Sequence, residues 1–163
     1  MDAKTKKLMK EFESKRIKNC GKLSGMIQKY IYAHIEKVWQ ESGFTDIRIG
    51  HLPLLSNINQ AGVSVNSLAE MAYISKQAIS QILKELEEMG YVESLTNEND
   101  KRVRIVKLTD RGVCFIAKLF ECIKNIEKQF ASIIGKEKLN QLIEIQYELV
   151  CGLYPKLSNV ILS

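Results

Sequence analysis

Between residues 68 and 91 the apolar positions fall at helical spacing. At 3.6 residues per turn, Ala78, Ile79, Ile82, Leu83, Leu86 and Met89 fill one arc, and Lys76, Gln77, Ser80, Gln81 and Lys84 share the opposite face. Ser75 is a good N-cap, because its hydroxyl can accept from an orphan amide, and Gly90 suits the left-handed residue that follows a helix. The pattern therefore predicts a helix over residues 75–89. Ahead of it, Val65, Leu68, Ala69 and Ala72 make a shorter amphipathic helix, and Tyr73 and Ile74 leave a tight turn between the two. Behind it, residues 91–95 read as a strand, 96–101 as a polar turn, and Val103, Ile105 and Val106 as a returning strand. This is the pattern of a helix-turn-helix followed by a β-wing.

The flanking segments are helical too. Leu23, Met26, Ile27, Tyr30, Ile31, Ile35 and Val38 predict a helix over residues 22–41, ended by Ser42 and Gly43. A connection over 46–50 leads to a second helix over 51–58, where Pro53 falls in the first turn and its missing amide is not needed. Residues 59–62 then turn into a very short strand at Val63, and Ser64 can cap the helix that carries Leu68. After the wing, Thr109 caps a long helix bearing Val113, Ile116, Phe120, Ile123, Phe130 and Ile134, which Gly135 breaks. A last helix over 136–151 bears Leu139, Leu142, Ile143, Leu149 and Val150, and Pro155 discourages its continuation. The first helix and the last two carry more apolar surface than a small winged lobe covers, so a subunit interface is expected.

Three stretches carry a family resemblance: LAEMAYISKQAISQILKELEEMGYVES over residues 68–94, NENDKR over 97–102 and VKLTDRG over 106–112. In this spacing they resemble the MarR family of winged-helix transcription regulators. The resemblance implies a mainly α fold with a small β-wing. Its winged helix-turn-helix lobe would span 44–112, between N-terminal dimerisation elements over 1–43 (a basic segment and a first helix) and C-terminal dimerisation helices over 113–163. It also implies a homodimer. Asp100, Lys101 and Arg102 match the family's Asp-x-Arg wing signature, in which the Arg resembles a minor-groove contact and the Asp helps to hold the wing.

Composition modifies this picture at one point. The chain has 163 residues, 45% of them hydrophobic, and a net charge of +5, which suits a folded protein and would ordinarily be read as a footprint for nucleic acid. Residues 1–22 hold eight lysines and arginines against three acids, however, whereas 64–111 hold seven against eight. Recognition of DNA must then rest on local placement. Gln77 and Gln81 can read adenine edges in the major groove, while Lys76 and Lys84 can reach guanine or phosphate. Ser64, Ser75 and Ser80 suit backbone or base contacts, and Lys101, Arg102 and Arg104 lie toward the adjacent minor groove. A two-fold dimer demands a pseudo-palindromic operator, because a lone winged helix touches too few base pairs to be selective. The basic N-terminus reads first as a solvated helix face or frayed end.

Other chemistry is sparse. No apolar run approaches the ~20 residues that span a bilayer, and no signal-peptide core follows the basic N-terminus, so a cytoplasmic protein is expected. Cys20, Cys114, Cys122 and Cys151 lack metal-ligand spacing, and no phosphate loop or nucleophile motif argues for an enzyme or a cofactor. The resemblance implies repression released by a small aromatic ligand where the dimer helices meet the lobe; Tyr30, His34, Trp39 and His51 lie in segments that can line such a pocket. It also raises a thiol-based peroxide sensor, since Cys20 lies near the start of the first long helix, where one branch of the family carries its reactive cysteine, with Lys18 and Lys22 able to lower its pKa. The rival class is a winged helix turned protein-interaction module. Against it, the front of the 75–89 helix is polar, without the exposed aromatics of a docking surface.

Overall fold

The computed structural model describes residues 2–59, 61–72, 75–96 and 103–155, with the backbone but not the side chain of Lys76. The elements are α1 (Ala3–Lys15), α2 (Cys20–Glu41), a 3-10 turn (Ile49–His51), α3 (Leu52–Leu55), β1 (Val63–Ser64), α4 (Val65–Ala72), α5 (Lys76–Glu88), β2 (Val92–Thr96), β3 (Arg104–Leu108), α6 (Asp110–Ile134) and α7 (Lys136–Leu153). The fold is mainly α with a small β-wing, as expected.

Local chemistry sets the helix boundaries. Ser75 accepts from the Ala78 amide at 3.3 Å, Thr109 from Gly112 at 3.1 Å and Ser64 from Ser67 at 3.0 Å, each satisfying a donor that the first helical turn leaves open. At the other end of α5, Gly90 has φ +74°, a conformation that side chains with a Cβ resist. The short β1 joins the outer edge of the wing: the sheet order is β1-β3-β2, antiparallel throughout, with Val63 opposite Val106 and Val92 opposite Leu108.

The core sits beneath α5. Ile79, Leu83 and Leu86 are fully buried with Leu54, Leu55, Leu68 and Val106, so three of the predicted apolar positions of α5 face the interior. An aromatic group extends this core toward the long helices: Phe115 of α6 packs at a tilt against Trp39 of α2 at 5.6 Å and meets Phe44 and Tyr91 edge-on at 5.3 and 5.7 Å. That group ties the recognition lobe to the α2–α6 pair.

One element differs from the expected pattern, and another settles between two expected forms. The helix anticipated over 51–58 is a 3-10 turn followed by four α residues, because Ser56 Oγ and Asn57 Nδ2 donate back to the carbonyls of Leu52 and Pro53 at 2.7 and 2.6 Å and close the helix early. The basic N-terminus, expected as a solvated helix face or frayed end, takes the first form as α1, with Asp2 as its N-cap and no buried residue. Leu8, Met9 and Phe12 stand exposed on it.

Candidate nucleic-acid interface

The polar face of α5 lies open to solvent. Gln77, Ser80, Gln81 and Lys84 are exposed along successive turns, and the buried face beneath them fixes the helix so that these side chains point outward together. Lys84 Nζ stands 3.8 Å from Glu88, a loose pair with both partners in water that leaves the cation free to move to a stronger anion. Ser64 is half-buried at the start of α4 and occupied as its cap, and Ser75 is exposed but likewise serves as a cap. Arg104 is held by Glu87: its guanidinium makes two bonds, at 2.7 and 2.9 Å, from β3 to α5. It therefore braces the wing against the helix. Tyr73, Ile74, Asp100, Lys101, Arg102 and the Lys76 side chain lie outside the described residues.

Two polar networks, spanning long sequence separations, hold this face in place. In the first, Asp46 accepts from the Tyr91 hydroxyl at 2.7 Å and from Arg111 at 2.9 and 3.0 Å, while Arg111 also donates to the Met89 carbonyl and lies 4.4 Å over the Tyr91 ring. Burial alone would raise the Asp46 pKa, but Tyr91, the local backbone and Arg111 together hold it below the usual carboxylate value. Burial, helped by the Asp46 charge, pushes the Tyr91 phenol up to about 12.

That shift has a consequence for alkaline stability. Well below pH 10 the phenol is neutral in both the folded and unfolded chain, so the network contributes in full. Between about 10 and 12 the unfolded phenol ionises and the folded one does not, so stability falls with rising pH. The melting temperature of the wild type should drop more steeply over that window than that of Tyr91→Phe; parallel curves would show that Tyr91 carries no such linkage.

In the second network, the Arg48 amide donates to His51 Nδ1 at 3.1 Å, and His51 Nε2 lies 3.2 Å from Glu85 Oε2. His51 is buried, and its bond lowers the Glu85 pKa, with Gln81 adding to the effect. Neither network was legible in the sequence, since Asp46 and Arg111 are 65 residues apart and His51 and Glu85 are 34 apart.

The four residues considered for an effector pocket separate into three places. Tyr30 stacks on His34 at 6.0 Å and lies 5.9 Å from Phe130, with its hydroxyl on Gln129. Trp39 is a core residue, and His51 belongs to the α5 strut. An apolar cavity of about 130 Å³ between α2, α6 and α7 is lined by Ile27, Ile31, Phe130, Leu139 and Ile143 among others, and by none of the four. Cys20 is exposed at the start of α2, with Sγ 3.9 Å from Ser24 Oγ. Among the described residues no cluster of His, Cys, Asp and Glu is arranged to hold a metal ion, and no helix is long and apolar enough to cross a membrane.

A capped helix presenting a polar face, a three-stranded wing beside it and long helices outside the lobe define a winged helix-turn-helix protein with helical arms. Residues 42–103 match the model of the MarR family. The chain is 28% identical over 97 residues to HTH-type transcriptional regulator Hpr of Bacillus cytotoxicus, an alignment covering 58% of this chain and 52% of Hpr. The chain thus spans about half the length of the curated relatives it matches. Its fold is similar to that of a mutant MarR from E. coli complexed with operator DNA, with TM-score 0.68 and 20% identity over 83% of this chain and 96% of that one. It is also similar to a MarR family transcription regulator with TM-score 0.67 and 19% identity, over 97% of this chain and 99% of the other.

Proposed function

We propose that this protein is a transcription regulator, acting in the cytoplasm by binding double-stranded DNA as a homodimer on a pseudo-palindromic operator, and that repression is its usual output. The observation that carries this reading is the exposed polar face of α5, with Gln77, Ser80, Gln81 and Lys84 in one row on a helix anchored from its other side by the buried Ile79, Leu83 and Leu86. A helix of this kind fits the major groove, where Gln77 and Gln81 pair with adenine and Lys84 with guanine or phosphate. Lys76, Lys101 and Arg102 supply further contacts to the backbone and the minor groove. A protein-docking surface would offer aromatic or aliphatic anchors instead.

Dimerisation is supported by apolar side chains left in water by the single chain. Leu8 and Phe12 of α1, Met26 of α2, Phe120 and Ile133 of α6 and Leu149 of α7 are each more than half exposed. A second copy covering these helices would bury them, and two lobes would then meet successive half-sites on one face of the duplex. A small aromatic effector released from or captured by this assembly would reach Tyr30 and His34 first, because both keep exposed surface, whereas Trp39 and His51 are buried.

Arg102→Ala and Gln81→Ala separate the two kinds of contact. Arg102→Ala should weaken binding to specific and unspecific duplexes alike and reduce the slope of log affinity against log salt by about 0.9. Gln81→Ala should chiefly relax base preference. Unchanged affinity and salt slope for Arg102→Ala would remove the wing contact.

A further inference from the structure

Gln81 is an exposed amide, and a free amide can present either its oxygen or its nitrogen to a base. In this protein it is not free. Its Nε2 lies 3.4 Å from Glu85 Oε1, one turn further along α5, while the other oxygen of that carboxylate lies 3.2 Å from His51 Nε2. The first contact is long for a hydrogen bond, but its polarity is fixed: an ionised carboxylate only accepts, so the amide must turn its NH2 toward it. The direction of the second is fixed by the backbone. Because the Arg48 N–H donates to His51 Nδ1, the neutral ring carries its proton on Nε2 and donates to Glu85. His51 is itself buried, at 4% exposure, and sits at the end of the 3-10 turn before α3. A chain of polar contacts therefore leads from outside the helix-turn-helix to one side chain on its polar face.

We propose that His51 and Glu85 are positioning residues for base selection: the ring holds the carboxylate, the carboxylate orients the Gln81 amide, and the oriented amide favours adenine over guanine. The inference rests on the DNA-binding reading given above. Its chemistry follows from the major-groove edges. Adenine offers one acceptor and one donor there, guanine two acceptors. With one N–H on Glu85, Gln81 retains Oε1 as an acceptor and a second N–H as a donor, which matches adenine. Against guanine the same orientation sets Oε1 toward an acceptor, and Glu85 resists the flip that would relieve it.

The test is enrichment from random duplexes by the full-length wild type, Glu85→Gln, His51→Gln, Gln81→Ala and the Gln81→Ala, Glu85→Gln double variant, with a melt of each to confirm folding. The wild type should select adenine at one position in each half-site. Glu85→Gln can present either amide group to Gln81, so the adenine-to-guanine ratio at that position should fall about tenfold while the other positions hold. His51→Gln should move the same ratio in the same direction, and Glu85→Gln should add nothing in the Gln81→Ala background. A merely structural role would lower affinity evenly at every position, and that result, or an unchanged ratio in a folded Glu85→Gln, overturns the inference while leaving the DNA-binding reading intact. A folded wild type that enriches no sequence would instead remove that reading, and this inference with it.

Discussion

Gly112→Ala should cost the fold at least about 3 kcal/mol and lower the melting temperature by roughly 10 °C. A Cβ at this position would sit 2.1 Å from the Tyr91 carbonyl oxygen and 3.1 Å from a Leu108 methyl. The oxygen cannot withdraw, because Tyr91 is buried and its carbonyl accepts from the Thr109 amide at 3.1 Å. Nor can the start of α6 lift away easily, since Thr109 Oγ1 also donates to the Gly90 carbonyl at 2.6 Å and caps the Gly112 amide. One added methyl group must therefore separate α6 from the end of α5, and with it the Phe115 aromatic group that joins lobe to arms. A melting temperature within a degree or two of wild type would show that this junction yields at little cost.

Gln77→Glu should leave the fold intact and reduce DNA affinity on the order of a hundredfold. Gln77 is exposed in the first turn of α5, beside the amide ends of the helix, where a carboxylate is welcome and stability should hold or rise slightly. The same carboxylate, if α5 enters the major groove, faces phosphates on both sides and meets acceptor-rich base edges. Stability and binding thus move in opposite directions only if this surface contacts DNA. Unchanged affinity by filter binding, with an unchanged melt, would place the contact surface elsewhere.

The parts legible in the sequence were those written in neighbouring residues. Ser75, Ser64 and Thr109 cap the helices they were expected to cap, Gly90 and Gly135 follow helices, and Ile79, Leu83 and Leu86 fill the core, because capping and helical periodicity act within a turn or two. The resemblance carried in residues 68–112 pointed to the MarR family, whose model matches residues 42–103. What escaped depended on distant partners or on none. Leu8, Met9 and Phe12 already had helical spacing, but among eight basic residues that spacing did not decide between a solvated helix face and a frayed end. Phe115, Cys122 and Ile126 are the buried side of α6, whereas Val113 and Phe120, which share its apolar pattern, face outward. Periodicity marks apolar stripes; it does not say which neighbour covers each. Likewise Arg104 was read as a groove contact, and only the folded wing brings it to Glu87.

A winged helix that reads DNA as a dimer must bring two chains to each site. Fluorescence anisotropy on the duplex immediately upstream of its own gene and on a scrambled duplex, over a salt series and with the mass of the complex measured in parallel, tests it most directly. The expected result is salt-dependent binding that prefers the upstream duplex, by two chains per site. Equal, weak binding to both duplexes, followed by no enrichment from a random pool, would contradict it.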